Sequence, residues 1–99
     1  MTRFVVTARA GIDVREILER LSDLAGLNVA EKYARDLRAI YERLTMFPAS
    51  GARRSSLGPF ARIAVWDPYV VVYDHVGEEV RIIRVLDGRR NITRRLVRQ

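Results

Sequence analysis

The chain of 99 residues offers a short list of side chains that could do chemistry. It has no cysteine, which excludes disulfides, thiolate metal sites and a thiol nucleophile. His75 is the one histidine, and the one side chain that titrates near neutrality unaided. It stands near the end of a strand-like run, where it reads either as a general base or as a surface residue beside a hairpin turn. A lone histidine is a poor basis for a metal site, so no metal and no cofactor is expected. What is left is arginine. Seventeen of the eighteen basic residues are Arg, Lys32 being the exception. Residues 1–80 hold eleven basic and eleven acidic side chains, whereas residues 81–99 carry Arg81, Arg84, Arg89, Arg90, Arg94, Arg95 and Arg98 against Asp87 alone. The whole net charge of +6 therefore lies in the last fifth of the chain.

A guanidinium presents a planar fork of donors suited to phosphates and carboxylates, but with a pKa above about 12 it is a poor proton shuttle. The cluster of Arg84, Arg89, Arg90, Arg94, Arg95 and Arg98 has three readings. It is a phosphate clamp with salt-sensitive affinity, a contact for the carboxylates of a partner protein, or a solvated chain end. No aromatic residues interleave with it to stack bases, which favours the protein contact. Arg84 falls on a strand and is expected to be held more rigidly than Arg98. Upstream, Leu57, Pro59, Phe60 and Trp66 form either an exposed apolar docking patch or a cap on the core beneath a loop. Arg53 and Arg54 of that loop suit an acidic partner or solvent.

The elements that position these residues follow from periodicity. Residues 3–7 are a short β-type run. Ala10, Val14, Ile17, Leu18 and Leu21 recur on one helical face, with Asp13, Glu16, Arg20 and Asp23 assigned to the other, and Asp13 placed to complement the helix dipole. Gly26 reads as the helix stop, and Asn28 with Glu31 as the capping box of a second helix. That helix carries Ala30, Tyr33, Ala34, Leu37, Ile40, Tyr41 and Leu44 on one face and ends at Phe47-Pro48. Residues 49–59 are a loop, followed by strands over 61–66, 69–76 and 80–86, with Gly77-Glu78 as a two-residue hairpin turn. Tyr69-Val-Val-Val-Tyr73 is apolar on both faces and belongs at the centre of the sheet. Asn91 is expected to cap a last short helical turn. The fold class is α+β, in the order β-α-α-β-β-β, with a helical hairpin packed on a mainly antiparallel four-stranded sheet. Residues 1–99 form one domain. No run approaches a membrane span and the first residues are not a signal peptide, so the chain is expected to be cytoplasmic.

Phe47-Pro48-x-x-Gly51, Leu57-Gly58, Arg62 with Val65, Tyr69-x-x-x-Tyr73 and Arg84-Val85-Leu86-Asp87-Gly88-Arg89-Arg90 occur in this order. In this the chain resembles the ParE branch of the ParE/RelE toxin superfamily over nearly its whole length. The resemblance implies the toxin of a type II toxin–antitoxin pair, with a cognate ParD-like antitoxin as partner and operator DNA met only through that antitoxin. It also implies no membrane and no small-molecule ligand. ParE-like toxins inhibit DNA gyrase; RelE-like toxins cleave mRNA on the ribosome.

RNA cleavage through the 2′-hydroxyl needs a base, an acid and a group that stabilises the phosphate. The Tyr-Arg-x-x-Tyr strand motif of RelE-like members has Val70 where its Arg would stand, and Leu96 lies where a terminal Tyr is expected. These losses favour a gyrase inhibitor without a catalytic centre. On that reading Arg84, Arg89, Arg90, Arg94 and Arg95 face the target, and Leu57, Phe60, Trp66, Arg53 and Arg54 face the antitoxin. The nuclease alternative would rest on Arg90, Arg62 and His75.

Overall fold

A computed structural model describes residues 1–99. Strand β1 (Arg3–Val6) leads into helix α1 (Ala8–Ala25) and helix α2 (Leu27–Met46). A two-residue strand β2 (Ala52–Arg53) precedes the meander β3 (Ala61–Trp66), β4 (Tyr69–Val76) and β5 (Glu79–Asp87), and a single turn of helix, α3 (Arg94–Val97), ends the chain. The sheet has five strands in the order β1-β5-β4-β3-β2. The fifth strand, β2, pairs only Ala52 and Arg53 with Ile63 and Arg62, too short a run to leave a pattern in sequence. The first strand pairs with the last, in parallel, with Arg3 opposite Glu79 and Val6 opposite Ile82. All other pairings are antiparallel.

Strand β4 is central, as its two apolar faces require. Tyr69, Val71 and Tyr73 turn toward the helical hairpin and meet Ile17, Leu37, Ile40 and Leu44 in the main core. Val72 turns the other way, into a smaller core with Leu57, Ala61, Leu86 and Val97. The face opposite the hairpin is thus partly covered by the loop and by the end of the chain. No helix is long and apolar enough to cross a membrane.

Three local expectations are corrected. Gly26, at a positive φ of 95°, joins the helices so tightly that α2 begins at Leu27, and no side chain caps it; Asn28 is already inside the first turn. The final helical turn is capped by Thr93, whose Oγ1 accepts from Leu96 N at 3.2 Å, rather than by Asn91. Asp13 is not on a solvated face: with Ala10 and Ile17 it is buried, on the stripe that packs inward.

Candidate functional site at the arginine-bearing end of the sheet

The site is built on the outer edge of β5. Strand β1 covers that edge only as far as Ile82, where the β4–β5 register shifts: Val72 lies opposite Arg84 while Tyr73 lies opposite Ile82. This irregularity changes which residues face inward, Val80 and Ile82 before it and Val85 after it. Beyond β1 the start of α1 satisfies the open edge. Thr7 N donates to Ile82 O at 3.1 Å and Thr7 Oγ1 to Ile83 O at 3.2 Å, while the same hydroxyl accepts from Ala10 N and so caps α1. One turn on, Asp13 Oδ2 accepts from Val85 N at 3.0 Å and from Arg84 Nε at 2.8 Å, and Oδ1 accepts from Arg84 Nη2 at 3.2 Å. The remaining arm of Arg84, Nη1, donates to Leu96 O at 2.9 Å and ties down the chain end.

Arg84 is therefore a fully engaged buried residue, 4% exposed. It was expected to face the target; the structure gives it a positioning role, between α1, β5 and α3. The Tyr41 hydroxyl is buried close by without a partner, and its pKa is pushed up to about 12 by burial and, next, by the charge of Asp13.

At the end of β5 the chain turns through Asp87-Gly88-Arg89-Arg90. Arg89 donates to Asp87 from Nε at 2.9 Å and from Nη2 at 2.6 Å, and the Arg89 N–H adds a third bond at 2.9 Å. These bonds, the side-chain ones foremost, hold the Asp87 carboxyl well below the usual carboxylate range. A Cβ on Gly88 would stand 2.9 Å from Pro68 O and 3.3 Å from Val70 Cγ1, so no larger residue fits the turn as built. Asp87 is spent on Arg89, and Arg90 makes no ion pair. Arg90 lies between two depressions. One, of about 240 Å³, has a floor of Leu57, Ile63, Val70 and Ile92, with Arg54, Ser56 and Arg90 around it. The other, of about 350 Å³, runs between α1 and β5 and adds Arg9, Glu16 and Arg20.

Two clamps tie down the loop between α2 and β3. Tyr73 Oη donates to Pro48 O at 2.8 Å and accepts from Gly51 N at 2.9 Å, and Arg62 Nη1 donates to Gly51 O at 2.8 Å and Ala49 O at 3.1 Å. The Phe-Pro-x-x-Gly spacing thus brings one carbonyl and one N–H to a single buried hydroxyl. On the far side, Arg98 forks onto Asp74 at 2.7 and 2.9 Å and donates to Leu57 O at 3.0 Å, holding α3 over the small core.

The residues singled out from sequence are distributed unevenly. Arg54, Leu57 and Arg90, assigned to different partners, line the same groove. Arg89, Arg94 and Arg95 are solvent-exposed nearby in sequence, the last two on α3. Leu57 and Trp66 are buried, at 4% and 3%, so the expected apolar patch is reduced to Pro59 and Phe60, the latter at 53%. Trp66 packs against Tyr33 and Tyr69 and donates its indole N–H to Tyr33 O at 3.1 Å, which takes it under α2. Arg53, Arg62 and His75 line a separate small depression of about 80 Å³, with His75 Nε2 3.0 Å from Gly77 O. Arg90 is not among its lining residues, so the three residues of the nuclease alternative do not share a depression. Reasoning from sequence missed Thr7, Asp13, Arg20 and Tyr41. For Asp13 there was a signal, an acid at i+3 from Ala10 and i−4 from Ile17, on the apolar stripe itself.

A helical hairpin laid across a sheet of this order, with a basic C-terminal segment folded back over the opposite face, is the RelE/ParE-like toxin architecture. A solved structure titled "Chromosomal ParDE TA system from P. aeruginosa" superposes with a TM-score of 0.75, at 25% identity, covering 88% of this chain and 96% of that one. The family described as "ParE toxin of type II toxin-antitoxin system, parDE" matches residues 4–92. Toxin ParE3 of Caulobacter vibrioides is 32% identical over 96 residues, 97% of this chain and 96% of its own. The chain belongs to the ParE toxin family of type II toxin–antitoxin systems.

Proposed function

We propose that this toxin acts in the cytoplasm by docking on DNA gyrase through the exposed guanidinium groups of Arg89, Arg90, Arg94 and Arg95, and that a cognate ParD-like antitoxin neutralises it. The observation that carries this reading is the make-up of the groove beside Arg90. Val70 occupies the strand position at which RelE-like nucleases carry arginine, and it forms part of the floor. The ionisable side chains lining the groove are Arg54 and Arg90. A guanidinium is a poor proton shuttle, so the groove offers charge and shape but no acid–base pair for cutting a phosphodiester. Exposed arginines, three of which (Arg90, Arg94 and Arg95) make no ion pair, suit a contact whose speed and specificity come from complementary charge. The solved relative titled as a ParDE system supports an antitoxin partner for this chain as well.

Supercoiling by purified gyrase, titrated with the toxin, tests the proposal. Inhibition is expected, and normal supercoiling at a large molar excess would refute it. Primer extension on translated mRNA in toxin-arrested cells is expected to show no codon-phased cuts.

A further inference from the structure

The loop ahead of β3 reads Arg53-Arg54-Ser55-Ser56-Leu57. Its first four residues are exposed, and Leu57 is buried in the small core. The Leu57 carbonyl also accepts from Arg98 Nε at 3.0 Å, so the residue just before it is held in a fixed place. That residue, Ser56, stands beside Arg54 and Arg90 on the groove next to Arg90. Of the four serines in the chain, it alone lines this groove. Its hydroxyl bonds to nothing in the protein, and neither guanidinium has an acidic partner. A phosphate added at that hydroxyl would find two free donor forks, and such pairs are the strong, often bidentate kind. Kinases choose their substrates partly by charge pattern. Two exposed arginines, two and three residues before a serine, are such a pattern for a kinase with an acidic substrate cleft.

We propose that Ser56 is a phosphorylation site that turns the toxin down. In the transfer, Ser56 Oγ attacks the γ-phosphorus of a nucleoside triphosphate held by an arginine-directed serine kinase. The Oγ–P bond forms and the bond from that phosphorus to the β,γ-bridging oxygen breaks. The hydroxyl proton goes to the base of the kinase, and the nucleoside diphosphate leaves. The phosphoserine carries about −1.5 to −2 charges at pH 7. It draws Arg54 and Arg90 into charge-assisted hydrogen bonds and so removes Arg90 from the basic surface offered to a target.

This rests on the reading that exposed arginines, Arg90 among them, engage gyrase, and the test separates the two. Folded toxin is treated with ATP and the catalytic subunit of an arginine-directed serine kinase. Peptide mass mapping is expected to find one phosphoryl group, on Ser56, and none in Ser56→Ala. Phosphorus NMR is expected to place the second phosphate ionisation below its usual value of about 6, and to return it toward that value in Arg90→Ala. The phosphorylated toxin is expected to inhibit supercoiling about tenfold less than untreated toxin. Ser56→Ala, treated in the same way, is expected to inhibit as untreated toxin does. No transfer to Ser56, an ionisation that Arg90→Ala leaves unmoved, or undiminished inhibition by the phosphorylated toxin would each overturn the proposal. Failure of untreated toxin to inhibit gyrase would overturn the reading beneath it instead, and the ionisation would still decide whether the two arginines clamp the phosphate.

Discussion

Asp13 and Arg84, seventy-one residues apart in the chain, meet through two hydrogen bonds of 2.8 and 3.2 Å, and the same carboxylate closes the open edge of β5 at Val85 N. One acid on α1 thereby fixes the strand that leads into the Asp87–Arg90 turn. One guanidinium on β5 fixes the carbonyl of Leu96 in turn. The positively charged end is held in place from within.

Breaking that pair from one side leaves a buried charge uncompensated. Asp13→Ala is expected to cost about 3–5 kcal/mol, read as a fall in the urea midpoint of the isolated toxin. Replacing both partners, Asp13→Leu with Arg84→Met, is expected to recover much of the loss, although Val85 N–H stays unpaired. A single substitution that leaves the midpoint unmoved would deny the pair its anchoring role.

Tyr41 gives a prediction of opposite sign. Its buried hydroxyl has no partner, and a stranded polar group costs on the order of 1 kcal/mol or more. Tyr41→Phe is therefore expected to stabilise the fold at pH 7. In the wild type the phenol pKa is raised from 10.0 to about 12. The folded state thus keeps its proton longer than the unfolded chain, and the stability linked to this group is whole below pH 10 and lost as pH rises through 12. Unfolding curves between pH 9 and 12 are expected to lose part of their pH slope in the Phe variant.

The Phe47-Pro48-x-x-Gly51 element is expected to be intolerant at its glycine. A Cβ there would overlap the Tyr73 hydroxyl and stand 2.6 Å from Ile63 O. Tyr73→Phe keeps the volume but strands Pro48 O and Gly51 N, at about 1–3 kcal/mol. Thermal unfolding of Gly51→Ala and Tyr73→Phe is expected to show both destabilised, the first by a clash and the second by unmade hydrogen bonds.

Much of this architecture was legible in the sequence because it is written in short periods. The spacing of Leu37, Ile40, Tyr41 and Leu44 marks α2, and the double-faced run at Tyr69–Tyr73 marks the central strand. What escaped was non-local. Nothing near Asp13 announces Arg84, and the parallel partner of β1 is the last strand of the meander, beyond two helices. The fates of Leu57 and Trp66 depend on what packs over them, Val97 in one case and Tyr33 in the other. The arginine cluster was visible as composition, but the division between engaged Arg84, Arg89 and Arg98 and unpaired Arg90, Arg94 and Arg95 depends on where Asp13, Asp87 and Asp74 stand.

The chain end is held more by burial than by charge. Val97 is 2% exposed, and removing two of its methyl groups is expected to cost about 1.5 kcal/mol. The Arg98–Asp74 pair is partly solvated, and such pairs contribute about 0–1 kcal/mol. Val97→Ala is thus expected to lower the unfolding midpoint more than Arg98→Ala, with little dependence on salt.

The central question is whether the unpaired arginines are what engages the target. The direct measurement is the amount of linear plasmid trapped when purified gyrase, DNA and toxin are quenched with detergent and protease. Wild-type toxin is expected to raise it, and the triple variant Arg90→Ala, Arg94→Ala, Arg95→Ala, folded and equally soluble, is expected to return it to the level of gyrase alone. Trapping by the variant equal to that of the wild type, or none by the wild type at any dose, would contradict a gyrase contact made through these arginines.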